Sequence, residues 1–136
     1  MHLVRKYPFS ACMIAVIWFL SLMPYFPETP LDDVVLIDKW VHILMYGLAF
    51  TTVWIEYTFN HRKADYEKLF FWAWLAPVAM SGTIELLQEY CTFGCRSGEW
   101  LDLAANTLGI TAAAIIGIPI LYFKTRSLVS TKNGRG

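Results

Sequence analysis

The chain has 136 residues, of which 57% are hydrophobic, 16% aromatic and only 16% charged, too little polar surface to coat a soluble globule of this size. A chain this short also leaves no room for a second domain, so residues 1–136 are read as one unit. The formal net charge of zero is uninformative by itself, and the informative feature is where the charges lie.

Four apolar runs are long enough to be considered as membrane spans: about 8–23, 40–59, 69–90 and 102–123. The first follows Arg5 and Lys6 as a signal peptide would. It ends in MPYFPETP instead of a small-residue cleavage site, which favours a retained helix. Pro24, Pro27 and Pro30 then stop that helix and extend the connection to the second.

Arg5, Lys6, Arg62, Lys63, Lys68, Lys124, Arg126, Lys132 and Arg135 flank the runs on one side, and only Lys39 and Arg96 lie on the other. This asymmetry predicts an all-α bundle of four transmembrane helices in the plasma (inner) membrane, with both termini cytoplasmic. Topology accounts for the basic residues, so no nucleic acid is invoked. The connections around 24–39 and 91–101 are then outward-facing.

The second run opens with IDKWVHILMYG, in which Asp38, His42 and Tyr46 recur every four residues and share one helix face, with Lys39 beside them. In the third, SGTIELLQEY aligns Ser81, Glu85, Gln88 and Glu89. In the fourth, GEWLDLAANTLG sets Asp102 and Asn106 four apart, with Gly109 continuing the face. A rise of about 1.5 Å per residue places His42, Glu85 and Asn106 roughly 6 to 9 Å below the outer helix ends. Charged groups facing lipid cost several kcal/mol, so these residues are expected to face one another across a polar pocket open to the outside, with Arg96 folding over it.

The charges of this set do not balance. Asp38, Glu85 and Asp102 contribute three negative charges against Lys39 and Arg96, and Glu89 and Glu99 add two more. A protonated His42, a carboxyl group held neutral by burial, or a bound cation or cationic ligand group could compensate. Structural roles stand beside the functional ones. Arg96 could clamp helices as well as hook a phosphate or carboxylate, and Asn106 and Gln88 could be interhelical hydrogen-bonding groups.

Gly109, Ala113 and Gly117 recur every four residues and permit close approach of another helix of the bundle or of a second copy of the chain. Pro77 predicts a kink in the third helix. Trp18, Trp54, Trp72, Trp74 and Trp100 include several near span boundaries, where aromatic belts are ordinary. Glu56 is the one intramembrane charge outside the outer third. Cys91 and Cys95 bracket TFG and could form a small disulfide loop or remain free, whereas Cys12 is expected to be buried in the first span. No HExxH, paired CxxC, glycine-rich phosphate loop or nucleophile elbow occurs, so no metal or cofactor is expected from motif spacing.

The ordered set of DKWVH followed by Tyr46, then ELLQ, then Arg96 through Asp102, Asn106 and Gly109 resembles the VanZ-like membrane proteins over residues 38–110. The resemblance implies a small multi-helix protein of the cell envelope, in a family named after an accessory that raises resistance to the glycopeptide teicoplanin. It brings no agreed reaction, and so no catalytic residue. Three readings follow. The first is a binding or protective protein for membrane lipids, in particular a polyprenyl-phosphate-linked wall precursor with Arg96 and Lys39 on its phosphate. The second is an enzyme on such a lipid, with Glu85 or His42 as acid or base. The third is a structural or assembly subunit whose polar cluster holds the helices together.

Overall fold

The computed structural model describes residues 2–23, 36–61, 63–91 and 98–133, and every regular element among them is helical. In chain order these are α1 (His2–Lys6), α2 (Pro8–Leu22), α3 (Ile37–Asn60), α4 (Tyr66–Phe70), a π-helical turn (Phe71–Leu75), α5 (Ala76–Cys91) and α6 (Trp100–Asn133). Two stretches, Tyr66–Tyr90 and Trp100–Ser127, are long and apolar enough to cross a membrane. The apolar α2 has 15 residues, about 22 Å at the α-helical rise, against a hydrocarbon thickness of about 30 Å. The 24-residue α3 has the length, but Asp38, Lys39 and Glu56 lower its apolar character.

Local chemistry explains how these helices begin. Pro8 occupies the first turn of α2, where a missing N–H is tolerated, but Tyr7 before it supplies no side-chain cap. The cap comes from another helix: the Glu56 carboxylate on α3 accepts from the backbone N–H of Phe9 at 3.1 Å and of Ser10 at 2.9 Å, and from the Ser10 hydroxyl. Glu56 thus satisfies orphan donors at a positive helix terminus. Asp65 caps α4 by accepting from Lys68 N–H at 3.2 Å. Leu36 enters α3 with φ of 60°, in the left-handed region, and offers no capping side chain.

The kink expected at Pro77 takes the form of a π-helical turn. Pro77 lacks the N–H that would bond to Ala73, and just before it the ladder loosens, with Ala76 N–H reaching back to Phe71. This turn brings Ala73 into the core and directs Trp74 Nε1–H to the Thr111 hydroxyl on α6 at 3.1 Å.

Helix α3 packs most extensively on α6, while α2 lies against α3 and α5. At the crossing of α3 and α6, a Cβ on Gly109 would lie 2.5 Å from Ile43 O and 2.9 Å from Gly47 N, so the backbones meet there. Gly117, two turns on, meets the Trp54 side chain instead. Tyr46, Ala49, Phe50, Trp54, Ile84, Ile110, Ala113 and Leu121 form the shared core. Trp54 is therefore a core residue, whereas Trp72 and Trp100 are exposed as belt residues would be. Cys12, expected to be buried, faces outward on α2, because Ser10, Ile17 and Ser21 occupy the inward face. The prolines at 24, 27 and 30, Arg96, and the Cys91–Cys95 pairing lie outside the described residues or side chains.

Candidate functional site

The start of α3, the end of α5 and the start of α6 meet at one end of the bundle, hereafter the acidic end. Asp38, Lys39 and His42 come from α3, Ser81, Glu85 and Gln88 from α5, and Asp102 and Asn106 from α6, with Glu99 just before α6. The i, i+4 spacing read from the sequence sets the order of these groups along each helix, and the close α3–α6 crossing at Gly109 sets their separation.

Lys39 lies in the first turn of α3, where the helix dipole disfavours a cation. Three carboxylates offset this: Lys39 Nζ lies 2.5 Å from Asp102, 2.7 Å from Glu99 and 3.1 Å from Asp38. Lys39 is thus consumed by its own neighbours.

Deeper in, Asn106 is completely buried and organises three partners. Its amide Nδ2 donates to Ser81 Oγ at 2.8 Å and to Glu85 Oε1 at 3.2 Å, while its carbonyl Oδ1 lies 2.8 Å from His42 Nδ1. The opposite amide orientation would set Oδ1 against the Glu85 carboxylate, so the network itself selects this one. His42 Nδ1 then carries the proton and donates it to Asn106. The other ring nitrogen, Nε2, points to Asp38 Oδ1 at 3.6 Å, beyond hydrogen-bond distance.

The structure thus brings together Asp38, Lys39, His42, Glu85, Asp102 and Asn106. Two other expected pocket residues border this set. Gln88 donates to Ser21 O of α2 at 2.8 Å, tying α5 to the end of that helix. Tyr46 lies one turn below His42, fully buried, stacked on Phe50 with ring centroids 6.2 Å apart and with its hydroxyl beside Ser81. Glu99 joins the site as a bridge to Lys39, which its position before a helix start could have signalled. Ser81, already on the α5 stripe, accepts from Asn106 and lies beside the Tyr46 hydroxyl.

Beside this network runs a groove of about 580 Å³ between α5 and α6, walled by Ala79, Leu86, Leu103 and Trp100 and carrying Glu85, Glu89 and Glu99. The segment before α6 closes its end. A Cβ at Gly98 would collide with Glu85 O, so only glycine allows this approach, and Gly98 N–H donates to Glu89 at 3.0 Å while Glu99 N–H donates to Glu85 at 3.3 Å.

The chain matches no protein-family model, no curated protein and no solved structure.

Proposed function

We propose that the chain is a multi-pass membrane protein of the VanZ-like kind, whose groove at the acidic end binds a lipid-borne envelope intermediate. Glu85 carries this reading: it closes the buried Asn106 network on one side and lines the groove on the other. The groove volume falls within the range of about 300 to 1,000 Å³ usual for small-molecule sites. Acyl or prenyl chains fit the Leu86, Leu103 and Ala79 wall, and a hydroxyl- or amine-bearing head fits Glu85, Glu89 and Glu99.

The inverted distribution of polarity supports a lipid setting. His42, Ser81, Glu85, Gln88, Asp102 and Asn106 are buried, while Leu48, Leu108, Ile115 and Phe123 are more than 60% exposed. Water penalises such a surface, and lipid does not. In this reading α2, α3, the Tyr66–Cys91 helix and α6 all cross the bilayer. The acidic end faces outward, and the end carrying Lys6, Lys63, Lys68, Lys124 and Arg126 faces the cytoplasm.

Two details differ from the expectation read in the sequence. Lys39, bound to three carboxylates, is no phosphate hook, and that role falls to Arg96, outside the described residues. The enclosed His42 is not among the groove-lining residues, so of the two acid–base candidates only Glu85 can touch a ligand there.

Native mass spectrometry of the purified chain with polyprenyl phosphates and lipid-linked wall precursors tests the proposal. Wild type should retain one of these lipids. A Gly82→Leu variant, which fills the groove without entering the hydrogen-bonded network, should melt normally and lose it. Equal retention by both, or none by wild type, rejects the groove as the lipid site.

A further inference from the structure

The geometry points to a divalent transition-metal site of the zinc and manganese class formed by Asp38, His42 and Asp102. One ligand atom from each of the three lies within 4.8 Å of the other two, on adjoining turns of α3 and α6. Such an ion bonds to imidazole nitrogen or carboxylate oxygen at about 2.0 to 2.2 Å, so the ligands of a tetrahedral site are about 3.3 to 3.6 Å apart. Modest side-chain movement closes the difference, and Asp38, with its side chain 52% exposed, is free to make it.

His42 separates this arrangement from a mere cluster of acids. The ring is about 95% buried, and its Nδ1–H is committed to Asn106 Oδ1, which Ser81 and Glu85 hold in place from behind. Nε2 therefore presents a lone pair, without a hydrogen-bond partner among the described residues, to a carboxylate oxygen 3.6 Å away. A buried lone pair that faces a carboxylate oxygen favours a cation between them. A metal-bound histidine has this same requirement, with one nitrogen on the ion and the other donating to an oxygen acceptor that fixes the ring.

The charge balance agrees. Among the described residues, Asp38, Glu99 and Asp102 surround a single ammonium, that of Lys39, an excess of two negative charges within this set. Lys39 is thus the internal counterion of these carboxylates, and its flexible stem allows the ammonium to swing toward Glu99 and solvent when an ion enters. Three protein ligands leave coordination positions open, and Glu99, which contacts Lys39, also lines the groove. The site requires no lipid, so its test is separate from that of lipid binding.

The full chain in detergent, stripped with chelator, is titrated with Co²⁺, following the visible d–d absorption, and then with Zn²⁺, following bound metal by mass spectrometry. One equivalent should bind. Asp38→Asn, at the most exposed of the three positions, should melt close to wild type and weaken binding at least tenfold, and His42→Gln and Asp102→Asn should abolish the d–d bands. Lys39→Met, which removes the competing ammonium, should bind more tightly than wild type. Asp65→Asn at the far end should bind as wild type does. Failure of both wild type and Lys39→Met to bind either ion overturns the site, as does binding that Asp38→Asn leaves unchanged. A nitrogen-15 NMR signature of a doubly protonated His42 in metal-saturating buffer also overturns it, because the proton would then be the missing cation.

Discussion

The two ends of the bundle bury polar groups by different means. At the basic end, long-range contacts to backbone dominate: Glu56 holds the first N–H groups of α2, Asn60 Nδ2 donates to Lys6 O at 2.7 Å, and Lys124 donates to Thr58 O, while the side-chain pair Lys6–His61 is only partly buried and Lys68–Asp65 is exposed. At the acidic end, the buried contacts run mainly from side chain to side chain, through Lys39, Asp102, His42, Asn106, Ser81 and Glu85. Backbone partners are obligatory, so the first kind of contact completes helix ends. The second kind exists only because several particular residues coincide. The cavities differ in the same way. The basic end has a pocket of about 530 Å³ with apolar walls and Lys6, His61 and Lys68 at its margin, whereas the acidic groove adjoins the buried network.

The comparison can be tested first at the glycines of α6. Gly109→Ala drives a Cβ into the Ile43 and Gly47 backbone and should cost about 3 kcal/mol, because neither helix can yield without separating the acidic cluster. Gly117→Ala drives a Cβ into the root of the buried Trp54 side chain and should cost a comparable amount, so a clear drop in melting temperature in detergent is expected of both variants. Next, Asn106→Ala strands His42 Nδ1–H, Ser81 and one oxygen of Glu85 in the interior and should lose about 2 to 3 kcal/mol. If the loss were no larger than that of Asn60→Ala at the exposed basic end, the network would not be a cooperative unit.

Glu56→Ala should cost about 1 to 2 kcal/mol, the worth of a helix cap, and amide exchange should rise at Phe9 and Ser10 while staying unchanged at the acidic end. Lys39→Met leaves Asp38, Glu99 and Asp102 without the ammonium they share and should cost about 1 kcal/mol, read as a lower melting temperature in detergent. The smallest effect belongs to Leu36→Gly, which relieves the left-handed backbone at the start of α3 and should gain about 0.5 kcal/mol.

The sequence by itself determined the helical class, three of its helices to within a few residues and the start of α6, which runs on to Asn133 beyond the expected 123, and the faces that carry polar groups. These depend on runs of apolar residues and on i, i+4 spacing, which are local. Asp38, His42, Glu85, Asp102 and Asn106 were legible as a set because buried charges in apolar helices have few places to go. What only the tertiary structure decided is which of them touch. The glycine crossing at Gly109 draws α6 onto α3 and puts Asn106 between His42 and Glu85, while Lys39 is captured by Glu99 and Asp102 instead of facing a ligand. Spacing along one helix cannot show that Glu56 caps the start of another, that Gln88 turns to Ser21, or that one imidazole nitrogen has a partner and the other none. Those outcomes depend on the angle and separation at which helices distant in sequence meet, and packing sets both.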